Sequence, residues 1–261
     1  MNKKKLAILG NGHLAGIIVD AYINGLLPEY ELTGVMGRTE EKTEALAEKG
    51  GCRACRTIEE LLEAKPDYVA EAASVKAVKD HALTILSSGV SMIVLSIGAF
   101  ADEEFYKAVG ECAAAHGTRV HIASGAVGGF DVLRTVSLMG EAKVKFRTKK
   151  GPKSLAGTPV FKEHLLTDEK ESRVFSGTAK GAIALLPTKV NVAVAASLAT
   201  VGPDKTKMRI ISVPEMTGDD HKITAKIDGV KAVIDIYSGT SDIAGWSIVA
   251  VLKNLVSPIV F

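Results

Sequence analysis

The stretch that decides the fold is KLAILGNGHLAG, residues 5–16. Its apolar run at residues 5–9 predicts a short buried strand, and the spacing of apolar residues after the glycines predicts a helix. The turn between them reads G-x-G-x-x-A. Gly10 allows a tight turn, Gly12 allows a close approach to the backbone, and Ala15 lets helix and strand pack closely. Because free N–H groups at the start of a helix attract anions, this turn predicts a phosphate-binding site for a dinucleotide.

Strand-like and helix-like patterns continue to alternate along the first half of the chain. Further strands are predicted at residues 31–36, 67–72, 91–95 and 118–122, and helices at residues 13–24, 40–49, 58–64, 75–88 and 102–116. This β-α-β alternation is typical of a doubly wound parallel sheet. We therefore predict an α/β fold whose N-terminal Rossmann domain covers residues 1–125.

The pattern changes after residue 125. Apolar and polar residues alternate with period two in four segments, which predicts half-exposed strands at residues 141–148, 207–213, 221–227 and 230–237. Two helices are predicted between these strands, at residues 177–185 and 191–200. A mostly antiparallel sheet with helices on one face is the simplest packing. We predict a C-terminal α+β domain, residues 126–261, for substrate binding and dimerisation. Its closing helix, residues 241–254, could instead pack back on the first domain.

Composition excludes several classes of function. The net charge of +2 gives no reason to expect nucleic acid as a partner, and every apolar run is broken before it reaches membrane-spanning length. The lysine-led N-terminus becomes glycine-rich at once, so we interpret it as a strand rather than a signal peptide and expect a cytoplasmic protein. Cys52 and Cys55 have the spacing of a redox or metal pair. Without a second pair at zinc-site spacing, we interpret both as incidental reduced thiols.

Residues after the second predicted strand concern the choice of cofactor. Gly37 stands about where NAD-binding proteins place an acid for the ribose 2′-hydroxyl. Arg38 and Thr39 follow it, and an arginine can hold a 2′-phosphate with two hydrogen bonds. We expect NADP or NAD as cofactor, with NADP accepted; the alternative is that Arg38 caps a solvated loop. Within the glycine turn, His13 and Leu14 are further candidate cofactor contacts, although His13 also fits an exposed filler residue.

Small residues follow three of the predicted strands, where ligands of open parallel sheets bind. These segments are residues 72–74, 96–102 and 123–129. Small side chains would let a flat ring lie on the backbone, so Ala73 and Ser74 are candidate cofactor contacts. The alternative is that these segments are simple strand-to-helix turns.

Several longer motifs follow one another along the chain. They are SIGAFAD at residues 96–102, SGAVGGFD at 124–131, KGPKSL at 150–155, LPTKVNVA at 186–193 and a later histidine, His221. Their order and spacing resemble those of the L-aspartate dehydrogenase family over nearly the whole chain. The resemblance implies a Rossmann domain followed by an α+β domain whose sheet supports a homodimer. It also implies oxidation of L-aspartate to iminoaspartate with NAD or NADP; the imine hydrolyses to oxaloacetate and ammonia, or can feed NAD biosynthesis through quinolinate.

The same resemblance assigns roles to particular residues. The family's catalytic histidine falls on His221, and its contacts near the nicotinamide fall on Ala126 and Asn191. Oxidation of an amine to an imine releases a proton, and histidine is a base with a pKa near neutrality. Asp219 and Asp220 could raise that pKa or orient the ring. The alternative is a half-exposed strand histidine without a role.

The chain departs from the family pattern around the substrate site. Residues 213–214 read V-P where D-P is common, Asp219 stands where asparagine is common, and residues 238–241 lack the lysine of an N-P-K-T-S segment. Aspartate carries two carboxylates, so the site needs cations and hydrogen-bond donors. The candidates for substrate binding are Lys150, Lys153 and Ser154. No metal site is predicted, because the histidines lack metal-ligand spacing and hydride transfer needs no metal.

Two other functions remain compatible with the sequence. One is a two-domain NAD(P)-dependent oxidoreductase acting on a sugar or another amino acid. Sugar enzymes of this build commonly carry an E-K-P motif where this chain reads S-I-G at residues 96–98, which disfavours that substrate class. The other is a non-catalytic NADP-binding sensor, which would not need a histidine beside the nicotinamide.

Overall fold

The computed structural model describes residues 3–186 and 191–261. The chain forms two compact units: residues up to Gly125 together with Asp242–Phe261, and Ala126–Ser241. We call them the first and second unit and describe each by itself. None of the described helices combines the length and apolarity needed to cross a membrane.

The first unit is built on a six-stranded parallel sheet. Its strands are β1 (Lys4–Leu9), β2 (Tyr30–Met36), β3 (Arg53–Cys55), β4 (Tyr68–Glu71), β5 (Ser91–Val94) and β6 (Val120–Ile122). The spatial order is β3-β2-β1-β4-β5-β6, and all neighbouring pairs are parallel. The direction of winding reverses between β1 and β4, which is where nucleotides bind to sheets of this type.

Helices of the first unit cover the sheet. They are α1 (His13–Ile23), α2 (Glu40–Gly50), α3 (Ile58–Glu63), α4 (Val75–Ser87), α5 (Glu103–His116) and the closing helix (Asp242–Val256). The central strands are almost entirely apolar because both faces are buried; Leu6 and Ile8 of β1, for example, are fully buried.

The closing helix packs on α1 in this first unit. Gly245 makes the close approach possible, since a Cβ there would lie 2.9 Å from Cδ1 of Ile17. At the other end of the helix, the buried hydroxyl of Tyr30 donates a hydrogen bond to the carbonyl oxygen of Leu252 at 2.7 Å. The last helix of the chain therefore completes the core begun by the first strand and helix.

The second unit contains a five-stranded mixed sheet. Its strands are β7 (Lys143–Lys150), β8 (Ser172–Thr178), β9 (Lys207–Ser212), β10 (Asp219–Ile227) and β11 (Val230–Ser238), in the order β11-β10-β7-β9-β8. Its helices are α6 (Phe130–Leu138), α7 (Pro152–Leu155), α8 (Ala179–Leu185) and α9 (Asn191–Leu198). Strands β7 and β9 pair in parallel and the other pairs are antiparallel. The predicted α/β class, with a Rossmann sheet and a mostly antiparallel second sheet, is confirmed.

Several predicted boundaries were wrong. The helix expected from residue 177 begins at Ala179, because Gly177 and Thr178 still pair with β9 and the Thr178 hydroxyl caps the helix by accepting from the Gly181 N–H at 3.2 Å. Strands β8 and β3 and helix α6 were not predicted; β3 has only three residues. Strand β10 begins at Asp219 rather than at His221.

Candidate active site

The glycine turn has the geometry that its sequence requires. Gly10 has φ +139°, and a Cβ there would lie 2.5 Å from the carbonyl oxygen of Ala72, so no other residue fits without moving the backbone. A Cβ on Gly12, by contrast, would meet no atom within 4 Å. Ala15 is fully buried between helix and strand. The space above Gly12, at the start of the 11-residue helix α1, is therefore open to a phosphate.

His13 and Leu14 follow the open part of the turn. His13 Nε2 lies 2.6 Å from Oδ1 of Asp242, and both side chains are largely exposed. Leu14 packs partly buried against the core of the first unit. The structure thus gives Leu14 a packing contact and places the His13 imidazole at the rim of the turn, paired with the start of the closing helix.

A cavity lies where β2 and β3 end. It has a volume of about 480 Å³ and is lined by Gly37, Arg38, Glu40, Thr43, Glu44, Ala54, Cys55 and Arg56. Arg56 forms an ion pair with Glu40. Thr39 begins α2 as its N-cap residue. Arg56 was not singled out in the sequence, because it becomes a neighbour of Arg38 only through the unpredicted strand β3.

Asn11 closes the space above Gly37. Its side-chain amide donates to the carbonyl oxygen of Thr39 at 2.8 Å and to the Thr43 hydroxyl at 2.9 Å. A Cβ at position 37 would lie 2.3 Å from Cγ of Asn11. An acid for the ribose 2′-hydroxyl is therefore absent from position 37 and also sterically excluded there.

A buried carboxylate joins the small-residue segments after β4 and β5. Glu71 is fully buried, and its two oxygens accept four hydrogen bonds, from the Ala73, Leu95 and Ser96 N–H groups at 2.8, 3.1 and 2.9 Å and from the Ser96 hydroxyl at 2.7 Å. Burial raises its pKa above the ordinary value, although these hydrogen bonds act in the opposite direction. The Ser74 hydroxyl caps α4 by accepting from the Ala77 N–H at 3.1 Å. Glu71 was not among the predicted site residues, although an acid within an apolar strand is a visible signal in the sequence.

His221 lies on the buried face of the second unit's sheet. It is 2% exposed, its ring centroid is 5.8 Å from that of Phe146, and neither ring nitrogen has a hydrogen-bond partner within the described residues. The nearest acidic atom, Oδ2 of Asp219, is 3.7 Å from Nε2. The half-exposed position assumed in the alternative is therefore wrong, and both buried nitrogens keep unused hydrogen-bonding capacity within the described residues.

The pKa of His221 is lowered to about 4. Burial is the largest cause, and the nearby Lys150 ammonium lowers it further. Asp219 and Asp220 do act to raise it, as expected, but their effect is smaller than that of burial. Because burial outweighs the two aspartates, the net shift is downward, and the imidazole is neutral near pH 7.

A ladder of charges lies beside His221 on β7 and β10. Lys150 Nζ lies 2.5 Å from Oδ2 of Asp219, and Arg147 lies 3.0 Å from Oδ2 of Asp220. Thr148 is the direct cross-strand neighbour of His221, and its buried hydroxyl also has no partner within the described residues. The register between the two strands brings Thr148, Lys150 and Asp219 to the same face of the sheet as His221, which the sequence alone did not reveal. The pair of Arg147 and Asp220 lies on the other face.

The other predicted substrate residues, Lys153 and Ser154, lie in the short helix α7 after β7, which was not predicted. The Ser154 hydroxyl donates to the Gly151 carbonyl oxygen at 2.8 Å. Thr148, Lys150 and Ser154 line one small cavity, whereas Lys153 and Ser154 line a larger one of about 550 Å³. The structure therefore brings Lys150 near His221, places Lys153 on a separate surface, and puts Ser154 on the border of both.

Ala126 and Asn191 were expected near the nicotinamide. Ala126 is the first residue of the second unit and is partly exposed. Asn191 is the first residue of α9 and is half-buried. Residues 187–190 of the LPTKVNVA motif lie outside the described residues.

Comparison with known proteins identifies the family. Residues 131–255 match the family model described as aspartate dehydrogenase, C-terminal, and residues 10–123 match that of the homoserine dehydrogenase NAD binding domain. An L-aspartate dehydrogenase from Methanosarcina barkeri is 34% identical, with 98% of each chain covered. The chain belongs to the L-aspartate dehydrogenase family. Another relative of that name, from Methanococcus maripaludis, is 32% identical over 98% of each chain.

A solved structure of this family has the same fold. The crystal structure of aspartate dehydrogenase from Thermotoga maritima has a TM-score of 0.79 and 28% identity, and 99% of each chain is covered. Membership of the L-aspartate dehydrogenase family confirms the resemblance, makes the chain an oxidoreductase and identifies NAD(P) as its cofactor. The open glycine turn and the cavity beside Arg38 fit such a cofactor. The alternative of a non-catalytic sensor is thereby disfavoured.

Proposed function

We propose that this protein oxidises L-aspartate to iminoaspartate with NAD or NADP, using His221 as the base. The observation that carries the proposal is the buried, neutral imidazole with two unpartnered nitrogens beside the Lys150 cation. The relatives that match this chain over nearly their full lengths are named L-aspartate dehydrogenases, which supports the same substrate. The imine then hydrolyses to oxaloacetate and ammonia or supplies NAD biosynthesis.

His221 performs the proton transfer in this proposal. When bound, the nicotinamide accepts the hydride that leaves Cα of the amino acid. As the C=N bond forms, the substrate ammonium loses one proton, and a neutral imidazole nitrogen can accept it. A pKa of about 4 in the free protein is low for a base. The two carboxylates of bound L-aspartate would raise it towards neutrality, because nearby negative charge favours the imidazolium.

Lys150 is the proposed anchor for one substrate carboxylate. Its ammonium is already held by Asp219 and only 18% exposed, so it has a fixed position before substrate arrives. A carboxylate entering beside it would share the cation with Asp219. The Thr148 hydroxyl, buried and unpartnered within the described residues, is available as a neutral donor on the same side of the ladder. Ser154 borders both cavities and is the proposed donor for the second carboxylate, for which its hydroxyl would have to turn away from the Gly151 carbonyl oxygen. Lys153, on the surface of the larger cavity, would add positive charge at the entrance.

The second unit is also proposed to form a homodimer through its sheet. Edge strand β11 exposes apolar side chains at Val233 and Tyr237, which are 41% and 62% exposed. Exposed apolar groups on an edge strand are typical of a surface that another chain covers. Light scattering on the purified protein tests this, and a monomer at assay concentrations would contradict it.

The activity is tested by absorbance of the reduced nicotinamide. The protein is mixed with NAD or NADP and a panel of L-amino acids, D-aspartate and polyols. We expect reduction with L-aspartate, and a loss of roughly 10²–10⁴-fold in His221→Ala, the usual contribution of a general base. His164→Ala is the matched control, because this histidine of the same unit is exposed and bound to Asp168. Reduction with a different substrate would reject the aspartate assignment, and full activity in His221→Ala would reject the base.

A further inference from the structure

Glu71 is a buried carboxylate for which the proposed chemistry has no use. It is the last residue of β4, the strand beside the reversal of winding in the Rossmann sheet. All four donors to its oxygens belong to the segments that follow β4 and β5. These segments lie at the carboxyl ends of the strands, where the cofactor of such a sheet binds.

We propose that Glu71 is a positioning residue for the cofactor, which fixes the segments after β4 and β5 relative to each other and to the glycine turn. One carboxylate oxygen holds the Ala73 N–H and the Ser96 hydroxyl, and the other holds the Leu95 and Ser96 N–H groups. One side chain thus joins both segments directly.

The connection continues to the phosphate-binding turn. The carbonyl oxygen of Ala72, the residue between Glu71 and Ala73, is the atom that a Cβ on Gly10 would strike at 2.5 Å. The Ala72 N–H donates to the Leu9 carbonyl oxygen at 2.9 Å. A shift of the segment after β4 would therefore move the wall against which Gly10 packs.

The cost of burying Glu71 argues against a purely structural role. An apolar residue of similar size could fill a strand end without the desolvation that a buried carboxylate suffers. The carboxylate does what an apolar side chain could not: it orients three backbone N–H groups and one hydroxyl towards a single point. Such orientation is valuable where backbone geometry must match a ligand to within a fraction of an ångström.

The variant Glu71→Gln tests the proposal with little change of volume. A glutamine would best place its NH₂ group near the Ser96 hydroxyl, which can rotate to accept, but that group then faces the Ala73 N–H, another donor. We expect the dissociation constants of NADPH and NADH, measured by fluorescence titration without substrate, to rise about tenfold. Both cofactors should be affected alike, because β1 separates β4 and β5 from the end of β2, where Arg38 would hold the 2′-phosphate.

Two further variants separate positioning from stability. Tyr30→Phe removes a buried hydrogen bond of the same unit at the start of β2, away from the carboxyl ends of the strands. It should lower the melting temperature and leave cofactor affinity unchanged. Ser96→Ala removes only the 2.7 Å hydrogen bond and should weaken cofactor binding by a smaller factor than Glu71→Gln.

Unchanged affinity in Glu71→Gln, accompanied by a lower melting temperature like that of Tyr30→Phe, would overturn the proposal. If Glu71→Gln does not fold, Ser96→Ala decides, and wild-type affinity in that variant overturns the proposal as well. Cofactor binding is measured without an amino acid. Failure of the L-aspartate assignment would therefore leave this test unaffected.

Discussion

The glycine turn and the cluster around His221 are held together in different ways. The turn is made of backbone: Gly10 packs on the Ala72 carbonyl group, and the open space above Gly12 needs no side chain. The cluster is made of side chains whose charges and burial set the protonation state of the His221 imidazole. A backbone site tolerates almost no added atoms, whereas a side-chain site is sensitive to charge and pH. Three experiments test that contrast.

The largest effect is expected from an added methyl group in the turn. Gly10→Ala should lower the free energy of unfolding by about 3 kcal/mol or more, because it combines an unfavourable φ with a backbone collision. Gly12→Ala is the matched control. Its Cβ meets no atom within 4 Å, so it should keep its stability and lose cofactor affinity alone. Urea denaturation and NADPH titration measure both quantities; equal stability of the two variants would contradict the geometry.

An intermediate effect is expected from acidification, and it should come from the cluster. The pKa of His221 is about 4 in the folded protein and about 6.5 in the unfolded chain. Between these values the unfolded chain binds the extra proton, so the stability present above pH 6.5 is lost as the pH falls towards 4. The loss should reach about 3 kcal/mol.

The variant His221→Asn isolates this contribution. Urea denaturation at several pH values should show a shallower decline for the variant than for the parent protein between pH 6.5 and 4. Parallel curves would mean that His221 titrates normally in the folded state.

The smallest effect concerns cofactor choice in the cavity beside the turn. Arg38→Ala and Arg56→Ala should each weaken binding of NADP relative to NAD by about 1–2 kcal/mol, the value of a charge-assisted hydrogen bond to the 2′-phosphate. Glu40→Gln should act in the opposite direction, since it frees Arg56 and removes a negative charge. Dissociation constants for both cofactors measure the ratio; an unchanged ratio in all three variants would place the 2′-phosphate elsewhere.

The same contrast explains how much the sequence could predict. The turn and the parallel sheet were predictable because Gly10, Gly12 and Ala15 act within one strand-turn-helix segment. The lowered pKa of His221 was not predictable, because it depends on burial and on the charge of Lys150. Lys150 lies 71 positions away in the sequence and becomes a neighbour by pairing across the sheet with Asp219.

Short or interrupted elements were missed for a related reason. Strand β3 has three residues, too few for a periodic pattern, and Arg56 was overlooked with it. Glu71 was overlooked because three of its four hydrogen bonds come from residues after a different strand, which become neighbours only through the register of β4 and β5. The strand was predicted to begin only at His221 because the two aspartates before it disfavour strands, although their partners Lys150 and Arg147 offset that preference.

The packing of the closing helix on α1 has a consequence for synthesis on the ribosome. Ile17 and Tyr30 are synthesised before the second unit, but the groups that they contact, Gly245 and the Leu252 carbonyl, are synthesised after it. The second unit is complete in sequence before the first unit can close. Its folding therefore need not wait for its neighbour, whereas the nascent Rossmann sheet keeps one apolar flank uncovered until the closing helix has been synthesised.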